Sequence, residues 1–128
     1  MHYSLFNLTR NNIIADRITV ADKFWPRMRG LMGKKILKQG EGLLLAPCNA
    51  VHMMFMRFPI DVIFMDRDFV VVKILHSLEP WRISPVVRGA CQVVELMAGT
   101  ASNKGIKTGD KLSIIRADQA VKPHSKNG

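Results

Sequence analysis

The order of apolar and polar positions divides the chain into short segments, most of them with the length and composition of β-strands. Residues 3–9 (YSLFNLT) and 13–19 (IIADRIT) are rich in aromatic and β-branched side chains and are separated by Arg10, Asn11 and Asn12. Two such runs around an Asn-containing turn predict a β-hairpin. Thr19 stands three residues before Asp22 and ahead of an apolar run, the spacing of a capping box, so a helix is expected to begin near Val20. Phe24, Met28 and Leu31 give that helix one apolar face and leave its lysines and arginines on the other. Pro26 disfavours helical geometry at Trp25 and removes a backbone donor, which predicts a kink or restart there.

Beyond Gly40 and Gly42 the pattern changes to apolar runs at residues 43–46, 51–56, 61–66 and 69–78. Their near-continuous hydrophobicity predicts strands covered on both faces, by the Phe24/Met28 helix on one side and a second sheet on the other. Asp66, Arg67 and Asp68 supply hairpin chemistry between the last two. Residues 79–89, with Pro80 and Pro85, read as an extended surface loop, 91–98 as a strand, 99–109 as no more than a helical turn, and 111–116 as a closing strand. The expected architecture is α+β and mainly β: a compact antiparallel barrel-like or sandwich fold of about seven to eight short strands with one or two short helices. Residues 1–117 are expected to form a single compact domain, and residues 118–128 a polar, basic, disordered tail.

Composition narrows the class. A chain of 128 residues with 48% hydrophobic and 23% charged side chains is globular in character and long enough for one core. Its formal charge of +9 invites a polyanion partner, with the densest basic cluster at Lys23, Arg27, Arg29, Lys34, Lys35 and Lys38. That cluster carries no helix-turn-helix, zinc-finger or aromatic RNA-binding signature, so it reads as a solvated helix face and basic loop rather than a specific nucleic-acid site. No apolar run approaches the roughly 20 residues that span a bilayer. The first residues show no secretory pattern, and two cysteines are too few for a disulfide scaffold, so the expectation is a cytoplasmic protein with two thiols.

The candidate chemistry is concentrated in PCNAVHMMFMRFPIDVIFMD, residues 47–66. On a regular strand His52, Met54 and Met56 share a face and Cys48 lies just before it, a set of soft donors suited to Cu(I). Methionines at strand spacing more commonly fill core gaps, and a zinc site lacks the paired CxxC or HxxxH spacing. A nucleophilic site is the second class, with Cys48 as thiolate, His52 as base, Asp61 as orienting carboxylate and Arg57 recognising an anionic group. Against it, Arg57 and His52 have opposite parity on an unbroken strand, and Asp61, just after Pro59, is equally suited to accept backbone amides at a turn. Asp66 and Asp110 read as turn formers. Glu95, within VVELM, is expected to be buried and to need an ion pair with Arg29 or Arg88, unless it is a functional acid. Trp81, between Pro80 and Arg82, reads as a lid over the core or as a platform for a ligand.

Arg29–Lys35 (RGLMGKK), the run from Gly42 to Asp68, the EPW at residues 79–81, VVELMAG at 93–99 and GIKTGDKL at 105–112 resemble, in order and spacing, the bacterial and archaeal family called domain of unknown function 192. The resemblance covers roughly residues 19–115 and implies a compact, mainly β fold with one or two short helices. It implies no activity, cofactor or partner. The Met53/Met54 pair departs from the family pattern, which weakens a family-wide role for methionines there. The combined expectation is a small binding or accessory module, its pocket framed by Cys48, His52, Arg57, Asp61 and Trp81 beside the buried Glu95. Its ligand would be a small molecule or a protein. The alternatives are a thiol-dependent enzyme for an anionic substrate, or a copper or polyanion binder.

Overall fold

A computed structural model describes residues 2–21, 36–53 and 56–116. Among them are seven strands and one short helix: β1 (Tyr3–Asn7), β2 (Asn12–Ala21), β3 (Glu41–Leu45), β4 (Ile60–Met65), β5 (Val71–Leu78), β6 (Gln92–Met97), α1 (Thr100–Lys104) and β7 (Leu112–Arg116). All seven strands join one sheet in the order β5-β4-β6-β3-β2-β1-β7. The sheet curls until its edges touch, with Val70 bridging Lys111, Val71 N–H donating to Asp110 O at 2.9 Å and Leu112 N–H to Phe69 O at 2.9 Å. Joining the edges in this way satisfies backbone groups that an open sheet would leave to solvent.

The β1/β2 hairpin forms as its residues predict, with Asn11 at φ 59 in the turn, a left-handed position that asparagine tolerates. The Asp66–Asp68 turn between β4 and β5 does too: Asp66 Oδ1 accepts the N–H groups of Asp68 and Val70 at 2.8 and 3.0 Å. Two expectations need correction. Val20 and Ala21 continue β2 instead of opening a helix, because they pair with Leu44 and Leu45 of β3; the rest of the expected helix, including Phe24, Pro26 and Met28, lies outside the described residues. The β2/β3 pair is parallel and the five other strand pairs are antiparallel, so the observed fold is the mainly antiparallel one of short strands that the sequence predicts. Val51, His52, Met53 and Met56, expected in a strand, lie in none: His52 makes one isolated bridge and Met56 N–H donates to Met53 O at 3.2 Å, while Met54 and Phe55 lie outside the described residues. The expected tail at 118–128 also lies outside the described residues.

Strand parity sorts the interior into two cores. Leu5, Ile18, Leu44, Ile63, Met65, Val71, Val94, Leu96 and Leu112 come from all seven strands and fill the concave side, with Ala101 of α1 and Ile106 closing it. Leu43, Leu45, Ile60, Val62, Phe64 and Val93 face the convex side and are covered by Val51, Met53, Met56 and Val87 from two long connections. Every residue of β4 is buried because it lies between these layers. Each large apolar side chain so enclosed contributes about 1.5–3 kcal/mol. The covering connections, residues 46–59 and 79–91, carry most of the candidate chemistry.

Candidate functional site

The two connections run side by side and are zipped by their backbones. Cys48 N–H donates to Cys91 O, Val87 N–H to Asn49 O and Ser84 N–H to Val51 O, each at 2.9 Å; Met53 N–H donates to Arg82 O and Trp81 N–H to Met53 O, both at 2.7 Å. Ser84 Oγ, buried, accepts Val51 N–H at 2.9 Å and donates to Pro85 O at 3.0 Å. This irregular ribbon fixes which side chains point in and which point out. Val51, Met53, Ser84 and Val87 are buried, whereas Trp81, Ile83 and Val86 are 58%, 71% and 68% exposed.

His52 belongs to the outward set. It stands opposite Ile83, and the flanking bonds from Met53 N–H and Ser84 N–H make this a non-hydrogen-bonded antiparallel pair, in which the side chains lie closest. Arg57, Arg82 and Arg88 are exposed on the same two connections, with Glu79 the one exposed acid there among the described residues. Trp81 takes φ 69, a left-handed backbone position held by its bond to Met53 O, and it projects outward instead of lidding the core.

At the base of the ribbon is a cleft of about 220 Å³ lined by Pro47, Cys48, Asn49, Ala90 and Cys91. Cys91 is held from behind by its N–H, which donates to Met65 O at 2.9 Å, and Cys48 Sγ donates to Ala50 O at 3.1 Å. Both cysteines are half-buried and neither is in a disulfide.

The structure does not bring Cys48, His52 and Asp61 together. Cys48 packs against the convex core, the cluster that holds Phe64 and Val93. Asp61 has the parity of Ile63 and Met65, so its side chain lies on the concave face. It also sits at the other end of β4 from the Met65–Cys91 contact, roughly 13 Å away at about 3.3 Å per residue. Its carboxylate is fully enclosed and committed to backbone: Oδ1 accepts Ser77 N–H at 2.9 Å, and Oδ2 accepts Gly99 N–H at 3.1 Å and Ala101 N–H at 2.8 Å. Asp61 thereby caps α1 from a distant strand, satisfying amides that Gly99, with no side chain, leaves open.

His52 and Met56 likewise part company, one exposed and one buried, in spite of their even spacing; Met54 lies outside the described residues. Among the described residues no three His, Cys, Asp or Glu side chains cluster to hold a metal ion. Glu95, between Leu43 and Val62 on neighbouring strands, is only 6% exposed. No ion pair to it occurs among the described residues, Arg88 is exposed, and Arg29 lies outside the described set. Burial pushes the Glu95 carboxyl up to about 7.

Sequence reasoning did not single out Ile83 and Val86, and it did not set Cys91 beside Cys48. The first two carried a weak signal, as apolar residues in a loop that also holds Pro80 and Pro85, but nothing local told them from Val87, which is buried. Cys91 carried none, because only the fold sets it beside Cys48.

The family model DUF192, described as an uncharacterized ACR, matches residues 7–114. The chain belongs to this family. A UPF0127 protein of Thermococcus sibiricus is 33% identical over 112 residues, covering 84% of this chain and 72% of the relative. A UPF0127 protein of Pyrococcus furiosus is 33% identical over 113 residues, covering 84% of this chain and 95% of the relative. The crystal structure of a protein of unknown function from Novosphingobium aromaticivorans shares the fold at TM-score 0.75 and 25% identity, covering 87% of this chain and 82% of that one. A second solved structure, from Sinorhizobium meliloti, superposes at TM-score 0.71 with 24% identity over 87% of this chain and 90% of its own, a likeness of fold alone. The family therefore brings a mainly β fold and no biochemical role. Any reading of function rests on this chain's own surface.

Proposed function

We propose that the protein is a small binding module that docks an acidic, amphipathic protein segment on the ribbon formed by residues 46–59 and 79–91. The observation that carries this reading is the exposure of Trp81, Ile83 and Val86 on a connection whose backbone is pinned by hydrogen bonds on its inner side. A loop that merely covered a core would turn such side chains inward, because leaving a large apolar group in water forgoes about 1.5–3 kcal/mol. Apolar and aromatic groups beside arginine are the composition of an interface centre, and a pinned backbone lowers the ordering cost of binding. Arg57, Arg82 and Arg88 select for negative charge in the partner, and His52 beside Ile83 adds a polar contact. The proposed compartment is the cytoplasm, where the resting state of thiols such as Cys48 and Cys91 is the reduced one.

A displayed peptide library tests this. Peptides selected on the wild-type protein are expected to combine acidic with apolar residues, and Trp81→Ala or Ile83→Asp is expected to weaken them by at least about tenfold, as for residues at an interface centre. Both positions are exposed, so the variants are expected to fold, which circular dichroism and a thermal melt check. Selected peptides without acidic residues, or peptides that bind both variants as tightly as the parent, would overturn the proposal.

A further inference from the structure

The two cysteines of this chain are far apart in sequence and adjacent in space. Cys48 N–H donates to Cys91 O at 2.9 Å, both residues line the same surface cleft, and both are half-buried. Backbone bond lengths keep two residues joined by such a hydrogen bond within about 7 Å between Cα atoms, and disulfides span roughly 4.4–6.8 Å. The chain holds two cysteines in all, so one intramolecular pairing exists.

We propose that Cys48 and Cys91 form a redox-active dithiol that closes to a disulfide by exchange with a small-molecule disulfide of the glutathione class. One cysteine loses its proton, and its thiolate attacks a sulfur of the incoming disulfide. That S–S bond breaks, a mixed disulfide forms, and the leaving thiolate takes a proton to become the first small thiol. The neighbouring cysteine loses its proton in turn and attacks the protein sulfur of the mixed disulfide. The Cys48–Cys91 bond forms, and the second small thiolate leaves and is protonated. The protein loses two hydrogens and two electrons, and the small disulfide gains them as two thiols.

The surroundings suit this chemistry. The cleft opens to solvent between Pro47–Asn49 and Ala90–Cys91, so a small disulfide reaches sulfurs that a packed core would exclude. Cys91 is anchored to β4 through Met65 O. Cys48 sits on a connection outside the regular sheet, and closure takes its Sγ away from Ala50 O, to which it now donates at 3.1 Å. The bond would staple the base of the 46–59 connection to the start of β6. This inference does not depend on the docking proposal, since it concerns the cleft and not the exposed side chains above it.

The test is oxidation of the purified full chain with oxidised glutathione at pH 8, followed by alkylation under denaturing conditions and peptide mass mapping. Wild-type protein is expected to lose both alkylatable thiols, yield the Cys48 and Cys91 peptides joined in one species, retain no glutathione, and recover both thiols with a dithiol reductant. Cys48→Ser and Cys91→Ser are each expected to stop at a stable glutathione adduct on the remaining cysteine. Wild-type protein that carries glutathione on both cysteines, stays reduced, or forms only intermolecular dimers would overturn the proposal, and it would do so even if neither variant folded.

Discussion

Ala101 N–H donates to Asp61 Oδ2 at 2.8 Å, a buried bond across 40 residues of chain that ties the start of α1 to β4. With the bonds from Gly99 and Ser77 it occupies the Asp61 carboxylate with structural work. A residue that the sequence allowed as a catalytic carboxylate is therefore a remote helix cap. Asp61→Asn retains one acceptor oxygen but turns an NH₂ group toward amide donors. It is expected to lower unfolding stability by about 3 kcal/mol or more, since each buried donor left unsatisfied costs about 1–3 kcal/mol. Urea unfolding measures this, and a variant as stable as the parent would refute the capping role.

Glu95 predicts an unusual pH dependence. Its folded-state pKa of about 7 lies above the ordinary 4.5, because burial disfavours the charged form. Below pH 4.5 both states are protonated and no penalty exists; as pH rises towards 7 the unfolded chain ionises first, so stability falls, and above 7 the loss levels off at about 3 kcal/mol. Glu95→Gln removes the charge while keeping the shape. It is expected to be more stable than wild type at pH 8 by an amount of that order and equal to it at pH 4, as read from urea melts at both values.

Asp110 predicts the opposite slope. Burial raises its carboxyl, but hydrogen bonds from Arg10, Asn7 and Lys107 N–H, with the Arg10 charge, outweigh burial and hold it below its ordinary 3.8. The unfolded chain therefore takes up this proton at a higher pH than the folded protein does. The stabilisation is complete above 3.8 and is lost as pH falls through the lower folded value. Asp110→Asn is expected to cost about 1–3 kcal/mol at pH 7. The gap should narrow as acid unfolding is followed below pH 3.8.

Gly42 is required by close approach. A Cβ there would lie 2.8 Å from Glu95 O, 2.7 Å from Ile18 Cδ1 and 2.8 Å from Leu96 Cδ2. The side chains have some freedom to shift, but the Glu95 carbonyl is fixed in the β3/β6 ladder. Gly42→Ala is expected to destabilise the fold by about 1–3 kcal/mol through overpacking. A thermal melt unchanged from wild type would show that the strands separate more easily than their pairing implies.

The elements that were legible are those whose cause is local. The β1/β2 turn carries Asn11, the β4/β5 turn carries Asp66 and Asp68, and unbroken apolar composition marked β4 as covered on both faces. The run 51–56 looked like another strand by the same criterion, yet Val51, Met53 and Met56 serve as a cover over the convex core. Composition records that a residue is buried, and it does not record whether the residue lies in the sheet or on top of it. The continuation of β2 through Val20 and Ala21 depended on a parallel partner, β3, that no local pattern near Thr19 encodes.

By itself, then, the sequence determined the mainly β character of the chain, the placement of its tight turns and the concentration of chemistry within residues 47–66, because propensity, turn residues and apolar periodicity act over a few neighbours. Tertiary structure alone decided how that chemistry was divided. It turned Asp61 to the concave face to cap α1, turned His52 outward beside Ile83, and set Cys48 against Cys91. Each assignment follows from strand parity and from pairings between distant segments, which exist only once the sheet has closed.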